Sequence, residues 1–479
     1  MAESTGRRGP RPDAAHERGG APSPDWEQLE RWDRAYYLHN VQAQGQWPWL
    51  AVERQAGNYL YLSNGASLLD FQSQLISDSL GHCHPGIYGE ITRAMERYGH
   101  VFFGMGHEYR ARAAKLVIED VLGGERGWAG RLRVLASGTE AVENCITLAR
   151  LYTGRTLILT QAHSYHGLTV GATMLRGYRN NLTPGGHPDE VRDVPGFPAH
   201  GYIPIPPPEH ADYAGPLPLP SLVATEHIIR TLGARNVAAV ITEPMFGAGG
   251  LAPHPAYMPG LRDLSKRHGF LWIDDEVLCG FGRLGEWFGY QLHPGVEPDL
   301  MAVGKSINGS SLPCGAVVAS KAIAEFFDQA RWWSGSTWDG HPLVCASIVG
   351  ALETMLADNV LERVRARGRY LRERLDHLAA RHPSVGRVAG HGLYHAVDLV
   401  DAQGRPIVAE DRYTAFLGDL TDHPNNVVAR ECAARGVFLG GFVPNTIKVG
   451  PPFTISEAEI DAGLAAFDAA LSVVDARWC

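Results

Sequence analysis

The residues best placed to do chemistry sit at the ends of short apolar runs. The stretch "DLMAVGKSINGSSLPCGAVVAS", residues 299–320, carries one cation, Lys305, between apolar runs at 299–303 and 316–319. Small residues surround it: Gly304, Ser306, Asn308, Gly309, Ser310 and Ser311. Most lysines in such turns are solvated loop residues. Beside an apolar pocket, desolvation instead lowers the amine's pKa and makes it a nucleophile or proton carrier. Thirty positions earlier the apolar run "FLWIDDE" (270–276) ends on Asp275. A third segment, "VLASGTEAVENCITLARLYTG", reads as strand, tight turn and helix. Its Ser137-x-x-Glu140 fits a capping box, and the same turn offers free N–H groups at the positive end of a helix dipole, which suit a phosphate.

Two other signals fail on context. "GFGRLG" (280–285) matches the dinucleotide pattern GxGxxG, but that motif must open a helix. Here it runs into "EWFGYQLHPGVEPD", broken by Gly289, Pro294, Gly295 and Pro298. In "GHCHPG", His82 and His84 point the same way on an extended segment and leave a metal site incomplete; a helix start before Pro85 is the expectation. No metal site is expected, at His163 and His166 either.

The elements that must position these groups follow from the hydrophobic pattern. Helical spacing at 26–38 gives way to "YLYLSNGASLLDFQ", a hairpin around Ser63-Asn64-Gly65. From Ile87, short apolar strands at 132–137, 156–160, 237–244, 270–276 and 300–304 alternate with helical stretches such as 109–122 and 141–152. That alternation predicts an α/β fold with a mostly parallel sheet and helices on both faces, ligands gathering at the carboxyl ends of the strands. Ser137-Gly138-Thr139, Glu243, Asp275 and Lys305 all stand at such ends. Residues 176–220, rich in Pro and Gly, read as a long surface excursion, and one long helical pattern runs from 346 to about 380. The division is a disordered tail (1–28), a large domain (87–345) and a smaller α+β domain built from 29–86 and 346–479.

With 479 residues, 45% hydrophobic and 20% charged, the composition is that of a globular protein large enough for two cores. A net charge of −9 argues against a nucleic-acid or membrane-surface binder. No apolar run approaches a bilayer span, the start lacks a secretory h-region, and the seven scattered cysteines without CxxC spacing read as reduced thiols. A cytoplasmic protein is the expectation.

A phosphate cradle, an acid and a nucleophilic lysine together meet the needs of pyridoxal 5'-phosphate. The lysine forms the Schiff base, and the acid keeps the ring nitrogen protonated so that the ring can act as an electron sink. The segments "SGTEAVE", "SYHG", "ITEPMFGAGG", "DEVLCGFGRLGEWFG", "PDLMAVGKSINGSSLPCGAVV" and "STWDGHPL" occur in the order seen in class III aminotransferases, which the chain resembles from 81 to 461. "DEVLCGFGRLGEWFG" is most similar to the ω-amine, taurine and β-alanine–pyruvate branch.

The resemblance implies fold type I, with a seven-stranded sheet, and a role for each matched residue. Lys305 matches the Schiff-base lysine and Asp275 the ring-nitrogen partner. Val277 and Tyr165 would cover the two ring faces, and Ser137, Gly138 and Thr139 would hold the phosphate. Glu243 would support the site, and Thr337 would reach the cofactor of a neighbouring subunit, implying a homodimer with shared sites. The implied reaction moves an amino group from an amine or amino acid to a keto acid or aldehyde. An aminomutase, a racemase or epimerase, and a decarboxylase use the same Lys305 and Asp275, and a silent dimeric scaffold would have no need of the full set.

Three positions depart from the family pattern. Leu278 stands where many members have glutamine, and Ser306 follows the lysine in place of glycine. Gly440 occupies the expected place of the arginine that clamps a keto-acid carboxylate, Arg435 being the only arginine in "ARGVFLGGFVPNTIKVGPPF". The carboxylate clamp is therefore expected to be missing, with Arg176, Arg179 and Lys448 as candidate replacements, and a specialised biosynthetic substrate is the reading that follows.

Overall fold

The computed structural model describes residues 24–39, 49–162, 164–175, 201–407, 423–443 and 445–479. Three strands come first: β1 (Val52–Ala56), β2 (Tyr59–Leu62) and β3 (Ser67–Asp70). The expected hairpin is β2–β3, with Tyr59 opposite Leu69 and the Asn64 side chain accepting from the Ala66 N–H at 3.0 Å.

Seven strands form the central sheet: β4 (Ala129–Leu135), β5 (Leu157–Gln161), β6 (Tyr202–Ile205), β7 (Val237–Thr242), β8 (Leu271–Asp275), β9 (Leu300–Gly304) and β10 (Gly315–Ser320). Their order is β4-β10-β9-β8-β7-β5-β6, parallel from β9 to β6, with β10 antiparallel to both neighbours. Every residue of β7 and β9 is buried, as strands covered on both faces require. The helix Gly138–Thr153 buries Val142, Cys145, Ile146 and Ala149 against β9 and β10. Each fully buried aliphatic side chain of this kind contributes about 1.5–3 kcal/mol. Gly154, at φ 67°, ends the helix in the left-handed conformation that glycine adopts without strain.

Five more strands follow: β11 (Val385–His391), β12 (Tyr394–Leu399), β13 (Val437–Phe438), β14 (Gly441–Val443) and β15 (Thr446–Val449). β13 joins β3 in parallel, so chain from both ends builds the sheet β1-β2-β3-β13, while β11-β12-β15-β14 forms a third sheet.

Several sequence expectations change. The excursion at 176–220 contains β6, which pairs in parallel with β5; Pro204 disguises it, and a proline is tolerated because β6 is the sheet edge. The single long helix from 346 is two, Pro342–Ala357 and Val360–Ala379, meeting at 70° where Asn359 adopts φ 48°. The helix expected at 109–122 is Glu108–Lys115 continuing into a π-helical turn, Leu116–Val121. His84 caps the helix Pro85–Met95, its ring accepting from the Gly86 N–H, whereas His82 is held between Asp70 and Asp78. "GFGRLG" opens no α-helix, the next element being the short turn Gly289–Leu292; Arg283 is instead buried, donating to the carbonyls of Leu393 (3.1 Å) and Pro451 (2.6 Å). Among the described residues no single helix is long and apolar enough to cross a membrane, and no metal-holding cluster is present. Residues 1–23 of the expected tail lie outside the described residues, and its last positions already belong to the helix Trp26–Tyr36.

Candidate active site

A cavity of about 560 Å³ opens at the carboxyl ends of the parallel strands. It is bordered by Ser137, Gly138, Thr139, Tyr165, Glu243, Asp275, Val277 and Lys305. The expected residues other than Thr337 are thus brought together from the ends of five strands, β4, β5, β7, β8 and β9. Lys305 directly follows β9 with φ 46°, a left-handed conformation that a lysine adopts only under constraint. Burial lowers the pKa of its amine, while Asp275 and Glu243 pull it up. Desolvation therefore outweighs the acids, which shifts the amine toward its neutral, nucleophilic form.

Asp275 lies on the cavity face of β8, 4% exposed. Its Oδ2 is 2.7 Å from Nδ1 of His166, and its Oδ1 accepts from the Val277 N–H at 3.1 Å. His166 has a fully buried side chain and also lines the cavity, where its Nε2 has no partner. It stands outside the site residues expected from sequence, where its place beside Tyr165 in "SYHG" was the available signal. His163 lies outside the described residues.

Glu243 follows β7 and is tied at both oxygens, accepting from the N–H of Tyr165 (2.9 Å) and of Gly247 (2.7 Å). Burial, with the charge of Asp275, pushes its carboxyl up to about 7 against the pull of His166 and the two N–H donors. Lys448 on β15 joins the same electrostatic group. Burial and then the charge of Lys305 lower its amine to about 7, with Glu243 pulling the other way.

At the phosphate end, the Ser137 hydroxyl is used as the helix cap, accepting from the Glu140 N–H at 3.3 Å, while Glu140 accepts from Ala136 at 2.8 Å. The first turn's remaining N–H groups face the cavity from a sixteen-residue helix. The backbone approach is tight: a Cβ on Gly138 would lie 2.9 Å from Val277, and one on Gly315 2.1 Å from the Ser137 carbonyl oxygen. A flat ring against Val277, a phosphate at the helix start, a buried amine and an acid with its own histidine fit pyridoxal phosphate in every part.

Thr337 is exposed and does not border this cavity. The loop expected to lack a carboxylate clamp places the Gly440 N–H on the Gln72 side chain at 2.9 Å and ties Arg435 to Glu431 at 2.6 Å. None of the described residues bordering the cavity is an arginine. Arg176 and Arg179 lie outside the described residues. Trp332 packs on Phe327 beneath Arg133, while Trp333 is fully exposed.

The family model of aminotransferase class-III matches residues 41–471. The chain belongs to the class III aminotransferases. It is 30% identical over 448 residues to an acetylornithine aminotransferase of Nostoc, covering 90% of this chain and 91% of that protein. It is 28% identical over 426 residues to a putrescine–pyruvate aminotransferase of Pseudomonas aeruginosa, covering 86% and 88%. Among solved structures, an S-selective transaminase from Bacillus megaterium superposes with TM-score 0.89 at 38% identity, covering 95% of this chain and 99% of that one. A taurine:2-oxoglutarate aminotransferase from Bifidobacterium kashiwanohense, in complex with the cofactor and glutamate, gives TM-score 0.85 at 26% identity, covering 95% and 99%. The fold is therefore fold type I, the cofactor pyridoxal phosphate and the reaction transamination; mutase, racemase and decarboxylase outcomes are not favoured.

Proposed function

We propose that Lys305 and Asp275 carry this transamination, with Ser137, Gly138, Thr139, Tyr165, Glu243 and Val277 holding the cofactor. The observation that carries the reading is the convergence of a buried amine and a His166-bound carboxylate on one cavity at the start of the helix Gly138–Thr153. Bound there, pyridoxal phosphate supplies a carbonyl that captures amines and a ring that delocalises the electron pair left when a proton departs. Lys305 Nζ would hold the cofactor and, when free of it, would move the proton on the substrate carbon that bears nitrogen. The Asp275 carboxyl would face the ring nitrogen, an interaction strengthened by exclusion of water, and His166 would fix the direction of that carboxyl. The Gly138 and Thr139 N–H groups bind phosphate, Val277 backs one ring face, and Tyr165 covers the other. Glu243 braces Tyr165 and the Gly247 loop from below.

Residues 87–345 serve as the cofactor-binding unit, and 29–86 with 346–479 as the smaller one, a division supported by the β3–β13 pairing. Thr337 acts in the site of a second copy. Its exposure outside this cavity, beside exposed Phe102, Phe103 and Trp338, supports that reading. Lys448 takes the part of the missing arginine toward a carboxylated acceptor. On that reading Lys448→Met raises KM for keto acids by about tenfold and leaves amines without a carboxylate unaffected.

The test is a visible absorption spectrum of wild type and Lys305→Ala with pyridoxal phosphate, before and after a panel of amines. A band that requires Lys305 and bleaches with particular amines supports the assignment and names the donor class. The same band in Lys305→Ala sinks it.

A further inference from the structure

Away from the catalytic cavity, a cleft of about 410 Å³ lies between the helix Val360–Ala379, the β11–β12 turn and the Leu284-Gly285 segment. Arg365, Arg369 and Arg372 stand along one face of that helix and border the cleft. Arg365 is tied to Glu286 at 2.7 Å and Arg372 to Asp376 at 2.8 Å. Both are half-exposed pairs of the kind that hold weakly and can be exchanged. Arg369 has no hydrogen-bond or ion-pair partner among the described residues. Glu373 is also on the wall, so the cleft is cationic without being uniformly so.

A row of arginines on a helix is ordinarily a solvated face. What distinguishes this one is the floor. His395 of β12 is 1% exposed, and its Nε2 lies 3.0 Å from the Gly392 carbonyl oxygen. That oxygen only accepts, so Nε2 carries the proton and Nδ1 presents a lone pair. Nδ1 is buried and has no partner. Burial, followed by the charge of Arg372, lowers the ring's pKa to about 3, so it remains a neutral acceptor. A Cβ on Gly390 would sit 2.9 Å from this nitrogen, so only the lack of a side chain there spares the space beside it. An acceptor with no donor, beneath cations with anion-binding capacity to spare, defines what is missing.

We propose that this cleft binds a doubly charged oxyanion that also carries an O–H group, as hydrogen phosphate or a phosphate ester of a polyol does. Arg369 and Arg372 bind the anionic oxygens, and His395 Nδ1 accepts the O–H.

The experiment is calorimetric titration of the cofactor-loaded enzyme with inorganic phosphate, glycerol 1-phosphate and sulfate, at equal ionic strength and alkaline enough to make phosphate a dianion. Sulfate matches hydrogen phosphate in charge and shape but has no proton to donate. The expected result is one site per chain that prefers a phosphate compound over sulfate by about tenfold, with Arg369→Gln and Arg372→Gln each weakening it by about tenfold. Tighter binding of glycerol 1-phosphate assigns a phosphate ester; equal or weaker binding than inorganic phosphate assigns the free ion. His395→Phe risks misfolding because the residue is buried, whereas the arginine variants leave the packed core intact. Absence of binding, equal affinity for sulfate, or binding indifferent to both arginine substitutions overturns the proposal.

Discussion

The two faces of β8 present the same functional group in opposite states. Asp275 faces the cavity, where His166 and the Val277 N–H satisfy it. Its neighbours Asp274 and Glu276 point to the other face, both fully buried. There Glu276 accepts from the Tyr290 N–H at 3.0 Å, but its second oxygen and both oxygens of Asp274 have no conventional donor. Burial and the charge of Asp275 raise the pKa of both carboxyls; Glu276 adds to the rise at Asp274, while Glu276 itself reaches about 8 against the pull of the Tyr290 N–H and of its hydrogen bond with Asp274. The pair therefore holds a proton at neutral pH, and one carboxyl donates to the other. Tyr290 and Cys279 also face the pair, and burial pushes both upward, so both stay neutral and neither offsets its charge. One strand thus carries a carboxyl group met by two donors and, one residue away on either side, a pair of acids that retains a proton for want of enough donors. Burial alone does not set charge state; the donors within reach do.

Substitutions on the two faces should separate accordingly. Lys305→Ala removes the amine on the catalytic side and should lower kcat by roughly 10²–10⁴-fold or more, measured in a coupled transaminase assay. Asp275→Asn keeps the shape but removes the charge, and a loss of roughly 10²–10³-fold in kcat is expected, with the protein still folded by circular dichroism. His166→Gln should cost about tenfold in kcat with little change in KM, since it orients the acid without touching substrate. Asp274→Asn, on the far face, should leave kcat within about twofold and change the pH dependence of stability instead. The sign follows from linkage. Carboxyls whose pKa is raised by folding bind more protons in the folded state, so wild type loses stability as pH rises from the unfolded carboxyl value, near 4, toward about 8. The melting-temperature difference between Asp274→Asn and wild type should therefore grow in favour of the variant across that window. A constant difference, or a large loss of activity in Asp274→Asn, would erase the contrast between the faces.

Much of the catalytic site was legible because it is built from strand ends, and strand ends are visible as apolar runs that stop. Lys305, Asp275, Glu243 and Ser137-Gly138-Thr139 each terminate or follow such a run. His166 was less visible, since it sits in a loop before a short helix and becomes relevant only through its 2.7 Å contact with a residue 109 positions away. Lys448 was named only as a candidate, and its proximity to Lys305 and Glu243 depends on how β15 packs over the sheet ends. Edge strand β6 was missed because its proline masked the pattern, and the break at Asn359 because a left-handed asparagine leaves helical periodicity nearly intact on both sides.

The sequence by itself determined the α/β alternation, the residues at the carboxyl ends of the parallel strands and the family. These rest on local features: side-chain periodicity, turn residues and contiguous motifs, each readable within a window of a few residues. Tertiary structure alone decided which carboxyls on β8 find donors, that His166 meets Asp275, and that His395 Nδ1 has no partner. Those properties depend on desolvation and on partners brought from distant parts of the chain, and a linear order of residues does not contain either quantity.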